Sequence, residues 1–318
     1  MNFEIDEQQR DFAASIDAAL SAADVPAAVR AWAAGDTTAG RKVWGQLADL
    51  GVTALLVPEK YDGIDAHPVD VVVALERLGY WAVPGPVTES IAVAPILLAE
   101  DERSGALASG ELISTVALPP AVPRAVNADV AGLTLLATDG QAAEATFGAS
   151  YESVDPTRKL FDVTASGATW QADTARAYEF GVLATAAQLI GAGQSMLDQS
   201  VAYAKQRTQF GRIIGSYQAL KHKLADVHIA VELARPLVYG AALALAEGST
   251  DTARDISAAK VAAADAALLA ARNSLQTHGA IGFTQEHDLS LLLLRVQALR
   301  SAWGDPSLHR RRLLEELA

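Results

Sequence analysis

The stretch YAKQRTQFGRIIGSYQALKHKLAD, Tyr203 to Asp226, decides how this chain is read. It separates two strong helical patterns. Upstream, Ala184 to Lys205 places Leu189, Met196 and Val201 at helical spacing and then ends in charge. Downstream, Tyr217, Leu220, Leu224 and Val227 recur at three- and four-residue steps on one face. Between them stand Arg207, Gln209, Phe210, Gly211, Arg212 and Gly215, a short glycine-punctuated turn carrying a guanidinium and an aromatic ring. A fixed guanidinium and backbone N–H groups at helix ends suit a phosphate or pyrophosphate. On its residues alone the stretch reads equally well as a solvated helix–helix turn, because arginine-rich turns are common.

Composition narrows the classes. A chain of 318 residues can bury a large core and form one to three structural units. With 51% hydrophobic residues, 20% charged residues and abundant alanine, it reads as a helical globular protein. A net charge of −13 argues against nucleic acid or an anionic membrane as the main partner. Local clustering of Lys205, Arg207, Arg212, Lys221 and Lys223 still leaves room for a polyanionic cofactor. The absence of cysteine rules out disulfides, thiolate nucleophiles and Cys-based metal sites, and fits a reducing cytosol. The acidic opening MNFEIDEQQRDF lacks the apolar segment of a signal peptide, so a cytoplasmic location is expected. No apolar run is read as long enough to span a bilayer.

Texture divides the chain into three. Residues 1–111 read as an N-terminal helical domain. Phe12, Ile16 and Leu20, then Val43, Leu47 and Leu50, sit at helical spacing, and Val71 to Leu78 repeats the pattern. Pro84, Gly85 and Pro86 interrupt it before another helix from Ile91 to Ala99. Residues 112–172 read as a small β-domain, with short apolar runs at Ile113 to Leu118, Leu133 to Ala137 and Leu160 to Val163 bounded by turn-forming residues. Residues 173–318 return to long helical segments at 174–205, 217–247, 251–279 and 286–302, with Pro236 expected to kink the second. The predicted fold is mainly α with a small β middle domain.

Three motifs, in order, resemble those of the acyl-CoA dehydrogenase family. Gln206, Arg207, Phe210, Gly211, Ile214, Tyr217, Gln218, His222, Ala225 and Asp226 match its Q-R-x-x-F-G-x-x-I turn, the aromatic or His and Gln that follow, and an H-x-x-A-D helix. QTHGAIGFTQEHDLSLLLLR, Gln276 to Arg295, is similar to its Q-x-x-G-G-x-G-F-T-x-E-H segment, and VPEKYDGID from Val57 to its V-P-E-x-Y-G-G. Together they cover roughly the whole chain. The resemblance implies an acyl-CoA dehydrogenase-like fold: a helical N-terminal domain, a reduced β-domain and a C-terminal four-helix bundle. It also implies FAD as cofactor, an acyl-CoA substrate and an electron-transfer flavoprotein as acceptor. In the family the turn reaches the adenine and pyrophosphate of a neighbouring subunit's flavin. Carried over, those residues are Arg207, Gln209 and Phe210, then Tyr217 and Gln218, then Gln276, His278, Gly279 and Ala280. Two depart from the pattern: Tyr217 stands where His or Phe is frequent, and Ala280 replaces the second glycine, adding a methyl beside the phosphates.

Other departures concern the reaction. The family removes the α-proton of a thioester while the β-hydride passes to the flavin, which requires a carboxylate beside Cα. Its glutamate comes from a late Y-E-G-T segment or from the start of the helix before the Q-R-x-x-F-G turn. Here the matching positions are Gly304 and Gly181. Two carboxylates lie nearby. Glu179 precedes the second position by two residues, a rotation of about 200° around a helix, and reads more plainly as a surface residue. Asp305 follows the first position and is the one candidate base, although Asp305 followed by Pro306 is also a helix N-cap pattern. The family's Y-A-M-T-E-P-type flavin segment is missing; VALPPAVPRA, Val116 to Ala125, stands in its place. The middle domain of roughly sixty residues is shorter than usual.

A turn that holds a flavin, without a base or a flavin loop, resembles the short subunit of the heterotetrameric α2β2 acyl-CoA dehydrogenases of actinobacterial steroid degradation. The partner is then a full-length homologue that supplies the base, and the acyl group is bulky and steroid-derived. Two alternatives stay open: a self-sufficient homo-oligomer using Asp305, and a flavin-free helical scaffold. The six histidines show no zinc spacing, so no metal is expected. Gly191 and Gly193 lack the context of a dinucleotide fingerprint and read as close helix packing. Glu286 and His287 read as loop structure, and His309 to Arg312 as a basic run on a solvated face or at a partner.

Overall fold

Periodicity becomes helix wherever the apolar stripe finds a partner. The computed structural model describes residues 5–317. The N-terminal part consists of α1 (Glu7–Ala22), α2 (Val25–Ala33), α3 (Thr38–Asp49), α4 (Pro68–Tyr80), α5 (Ala94–Leu97) and α6 (Ser104–Ala108). Asp6 and Gln9 close a reciprocal capping box on α1, satisfying two donors that a helix start leaves orphaned. The helix expected from Ile91 instead opens as a π turn, Thr88–Val93, running into α5. Pro95 explains the change, because it cannot supply the N–H that an α-ladder needs at that point.

The middle part is a five-stranded sheet: β1 (Ser114–Ala117), β2 (Ala125–Val126), β3 (Leu133–Thr138), β4 (Gln141–Tyr151) and β5 (Leu160–Gln171) in the order β1-β3-β4-β5-β2. β1 pairs parallel to β3, and the remaining pairs are antiparallel. The longest strands, β4 and the second half of β5, are mostly exposed and carry few large apolar side chains. Only the buried starts of such strands look like strands in sequence, so β4 has no counterpart among the apolar runs.

The C-terminal part contains α7 (Thr174–Gln206), a hairpin of β6 (Thr208–Gln209) and β7 (Arg212–Ile213), then α8 (Gln218–Glu247), α9 (Thr252–His278), α10 (Leu289–Ser301) and α11 (Pro306–Glu316). α8 runs through Pro236 as one helix. α10 starts later than its apolar pattern suggests, because Arg30 holds the preceding loop through the carbonyls of Gln285 and Glu286 and through Asp288. α7 is the axis of the molecule, and an added Cβ on Gly191 would overlap the Glu76 carbonyl of α4. Glycine there lets two backbones touch, as the packing reading of Gly191 holds. By length and composition α7 and α8 are both apolar enough to cross a membrane, which corrects the expectation that no run is. In α7 that apolarity serves the core, with 94% of its apolar window buried inside the fold.

Two buried cations fasten the parts together. Arg295 on α10 pairs with Asp155 at 2.6 Å and donates to Val83 O and Thr157 Oγ1, tying the β4–β5 connection to the bundle. Lys260 on α9 donates to the carbonyls of Leu299 and Ala302, and burial pushes its ammonium pKa well down. The Lys260 contacts hold the C-terminal end of α10, next to Trp303.

Candidate functional site

The turn between α7 and α8 folds as a projecting hairpin, the arm. Phe210 and Gly211 both have positive φ, at 52° and 78°, the backbone of a two-residue hairpin turn. For a phenylalanine this conformation is unusual, and it aims the ring outward, 91% exposed. Ile214 N–H closes the hairpin onto Arg207 O at 2.8 Å. Tyr217 donates to Gln209 O at 3.3 Å, and the Arg212 guanidinium lies over the Tyr217 ring at 4.0 Å. Across a groove stands the end of α9, where Lys223 of α8 donates to Gln276 and the chain leaves the helix at Gly279 with φ +63°. His278 stacks on Tyr203 at 4.5 Å and meets the edge of His287 at 4.9 Å. His278 Nδ1 donates to Ser274 O at 2.8 Å, and burial lowers its pKa, so the ring is neutral at pH 7 with Nε2 free.

The groove encloses a cavity of about 620 Å3. Eight of the nine cofactor residues expected from sequence line it: Arg207, Gln209, Phe210, Tyr217, Gln276, His278, Gly279 and Ala280. Gln218 does not; its amide lies 3.4 Å from His222 Nε2 at the start of α8. Tyr203, which also lines the cavity, has no mark in the sequence that singles it out, and Lys223 entered the sequence reading only as one of a basic cluster open to a polyanionic cofactor. Among the described residues the lining holds cations and aromatic rings but no carboxylate. Such a donor set can bind a polyanion bearing a flat heterocycle; it holds no carboxylate of the kind the family's α-proton abstraction requires.

The two glycine positions flank Trp303: Gly181, near the start of α7, packs against its indole, and Gly304 follows it in the chain. An added Cβ on Gly181 would overlap the Trp303 indole, and one on Gly304 would meet His309 Nε2 at 2.6 Å. Trp303 has φ +57° and is 1% exposed. Its Nε1–H donates to Glu89 at 3.1 Å, while its carbonyl accepts from His309 Nε2 at 2.9 Å. Because a carbonyl can only accept, His309 is the Nε2–H tautomer and Nδ1 accepts from Ser257 at 3.3 Å. Burial drives the His309 pKa down from 6.5 to about 4, so this ring too is neutral. His309 is therefore no solvated basic residue. Asp305 caps α11 by accepting from Leu308 N–H at 2.8 Å, and that bond lowers its pKa. Glu179 is paired with Arg312. Gly181 and Gln206 stand 25 residues apart on α7, about 38 Å at 1.5 Å per residue.

Comparison with known proteins decides the family. Residues 6–101 match the family model "Acyl-CoA dehydrogenase, N-terminal domain", and residues 173–318 match "Acyl-CoA dehydrogenase, C-terminal domain". Acyl-CoA dehydrogenase IpdE2 of Mycolicibacterium smegmatis is 33% identical over 298 residues, covering 92% of this chain and 93% of its own. This chain belongs to the acyl-CoA dehydrogenase family. Its members are flavoprotein oxidoreductases acting on acyl-CoA. Two solved structures share the fold: the ChsE4–ChsE5 complex from Mycobacterium tuberculosis (TM-score 0.86, 23% identity, covering 100% of this chain and 99% of that one) and the Tcur3481–Tcur3483 steroid ACAD G363A variant (TM-score 0.86, 19% identity, 98% of each).

The chemistry of the lining matches what a dinucleotide such as FAD would need, cations for phosphates and ring faces for a flat heterocycle. Arg207 and Lys223 would face the phosphates, and Tyr203, His278 and Phe210 supply ring faces. The residues where the isoalloxazine loop of the family would stand are folded tightly instead, with Leu118 and Val122 exchanging both backbone hydrogen bonds at 2.7 and 2.9 Å.

Proposed function

We propose that this chain is one subunit of a heteromeric acyl-CoA dehydrogenase, holding the adenine and pyrophosphate of an FAD whose reactive ring and catalytic base belong to a full-length partner chain. When bound, the flavin supplies the hydride acceptor for α,β-dehydrogenation of an acyl-CoA thioester. This chain's residues bind and orient: Arg207 and Lys223 offset phosphate charge, the Tyr203–His278 stack offers a rigid face, and Phe210 projects away from its own fold. The observation that carries the reading is the roughly 38 Å along α7 between the arm and the chain's own base positions. A dinucleotide held at the arm cannot present its ring there, so the arm serves another subunit.

The base positions support the same division of labour. Gly181 and Gly304 carry no carboxylate, and the Trp303 indole fills the space a side chain at Gly181 would need. Asp305 is engaged as a cap with a lowered pKa, the wrong direction for a base that must take a proton near neutrality. Among the solved structures that share the fold are a ChsE4–ChsE5 complex and a Tcur3481–Tcur3483 steroid ACAD, which supports a heteromeric assembly, for which we propose α2β2, and a steroid-derived acyl group.

The test is co-purification with a full-length homologue, followed by Arg207→Met with Phe210→Ala in the complex. The double variant should assemble normally yet lose most of its flavin and turnover. Full flavin content and turnover in that variant would sink the proposal.

A further inference from the structure

A second cavity lies beside Trp303, at the end of α7 remote from the arm. It measures about 280 Å3, with Val122, Val126, Leu160 and the Trp303 indole among its apolar walls and Glu89 and Arg158 as buried polar members. Glu89 belongs to the π turn Thr88–Val93, a distortion that recurs at functional sites. Its Oε1 accepts from Trp303 and lies 3.8 Å from Arg158 Nη2. Glu89 Oε2 and Arg158 Nη1 are left without hydrogen-bond partners, although their residues are only 2% and 4% exposed. Leaving such groups buried and unpaired is unfavourable, and more so when they are charged.

Charge, polarity and size define what would satisfy them. Glu89 and Arg158 neutralise each other, and Arg124 at the rim is paired with Asp162 at 3.0 Å, so the cavity selects neither an anion nor a cation. Arg158 Nη1, with its two N–H groups, lacks an acceptor and Glu89 Oε2 lacks a donor, and a hydroxyl meets the oxygen and one of the N–H groups. The remaining walls are apolar. Both unpaired atoms are themselves enclosed, so reaching a ligand takes rotation of the terminal groups, and the terminal carboxylate torsion of glutamate is broad.

We infer that this cavity binds a compact apolar body carrying one hydroxyl, which accepts from Arg158 Nη1 and donates to Glu89 Oε2. The hydroxyl could belong to a free molecule or to the far end of an acyl group. Val122 belongs to the segment that stands where the family's flavin loop would, but no arm residue takes part, so this inference can fail while the flavin reading of the arm holds, and the reverse.

The full chain, in complex with its partner where the two purify together, would be labelled with 5-fluorotryptophan. The Trp303 resonance would be assigned among the five tryptophans with Trp303→Phe. Cyclohexanol should shift that resonance saturably. Methylcyclohexane and cyclohexanecarboxylate should bind at least about tenfold more weakly, the loss expected when one or two buried hydrogen bonds go unmade. Arg158→Met should weaken cyclohexanol to a similar degree. Glu89→Gln keeps the shape and an acceptor for Trp303, and should weaken binding severalfold at a near-native thermal midpoint. Cyclohexanol competing with acyl-CoA in turnover would assign the hydroxyl to the acyl group, and binding without competition would assign it to a free molecule. An unsaturable response, or an equal response to methylcyclohexane, would overturn the inference.

Discussion

Acid should loosen the Trp303 corner through one titrating group, His309. The ring is buried, holds Trp303 O at 2.9 Å and lies 3.3 Å from Ser257. Both contacts use the neutral tautomer, in which Nδ1 accepts. Protonation would turn Nδ1 into a donor and place a charge near Lys260 and Arg312, both of which oppose it. The folded pKa of about 4 lies below the ordinary 6.5, so the unfolded chain binds this proton first. The stabilisation is therefore complete above pH 6.5 and is lost as pH falls toward 4. At 1.36 kcal/mol per pH unit the difference is worth about 3 kcal/mol. Urea denaturation between pH 7.5 and 4.5 measures it. His309→Gln, which keeps a donor and an acceptor but does not titrate, should be less stable at pH 7.5 and show a correspondingly shallower pH dependence. Equal slopes for the two proteins over pH 6.5 to 4.5 would refute the reasoning.

Asp305→Asn should leave turnover of the complex unchanged and stability within about 0.5 kcal/mol, because Asn caps as well as Asp, whereas Asp305→Ala should cost about 1 kcal/mol; lost turnover in Asp305→Asn with flavin retained would return the base to this chain. Gly191→Ala drives a methyl into the Glu76 carbonyl, and an overpacking cost of about 3 kcal/mol or more should appear as a large drop in thermal midpoint. Asp155→Asn leaves the buried Arg295 guanidinium without its counter-charge and should cost about 3–5 kcal/mol in urea denaturation.

The helical frame was legible because burial demands periodicity. Segments 174–205 and 251–279 lie within a residue or two of α7 and α9 at each end. β4 was not, because its exposed faces do not force an apolar pattern. At the groove, residues distant in sequence, such as Phe210 and Gln276, were brought together on motif likeness alone. Tyr203 escaped, and Lys223 stood out only as one of a basic cluster, because a ring or cation on a helix face looks the same whether it faces solvent or a cavity. Trp303 escaped for a different reason. Its role depends on the missing side chain of Gly181, 122 residues earlier in the chain, and no local pattern records that a glycine makes room for a distant indole. Glu89 falls between the Pro84–Pro86 interruption and the helix read from Ile91, where no pattern marks it.

Flavin stoichiometry tests the division between arm and base most directly. The chain purified alone should carry no flavin, and the complex with its full-length partner should carry one FAD per pair, half a flavin per chain. A yellow, catalytically active preparation of this chain by itself would contradict the account.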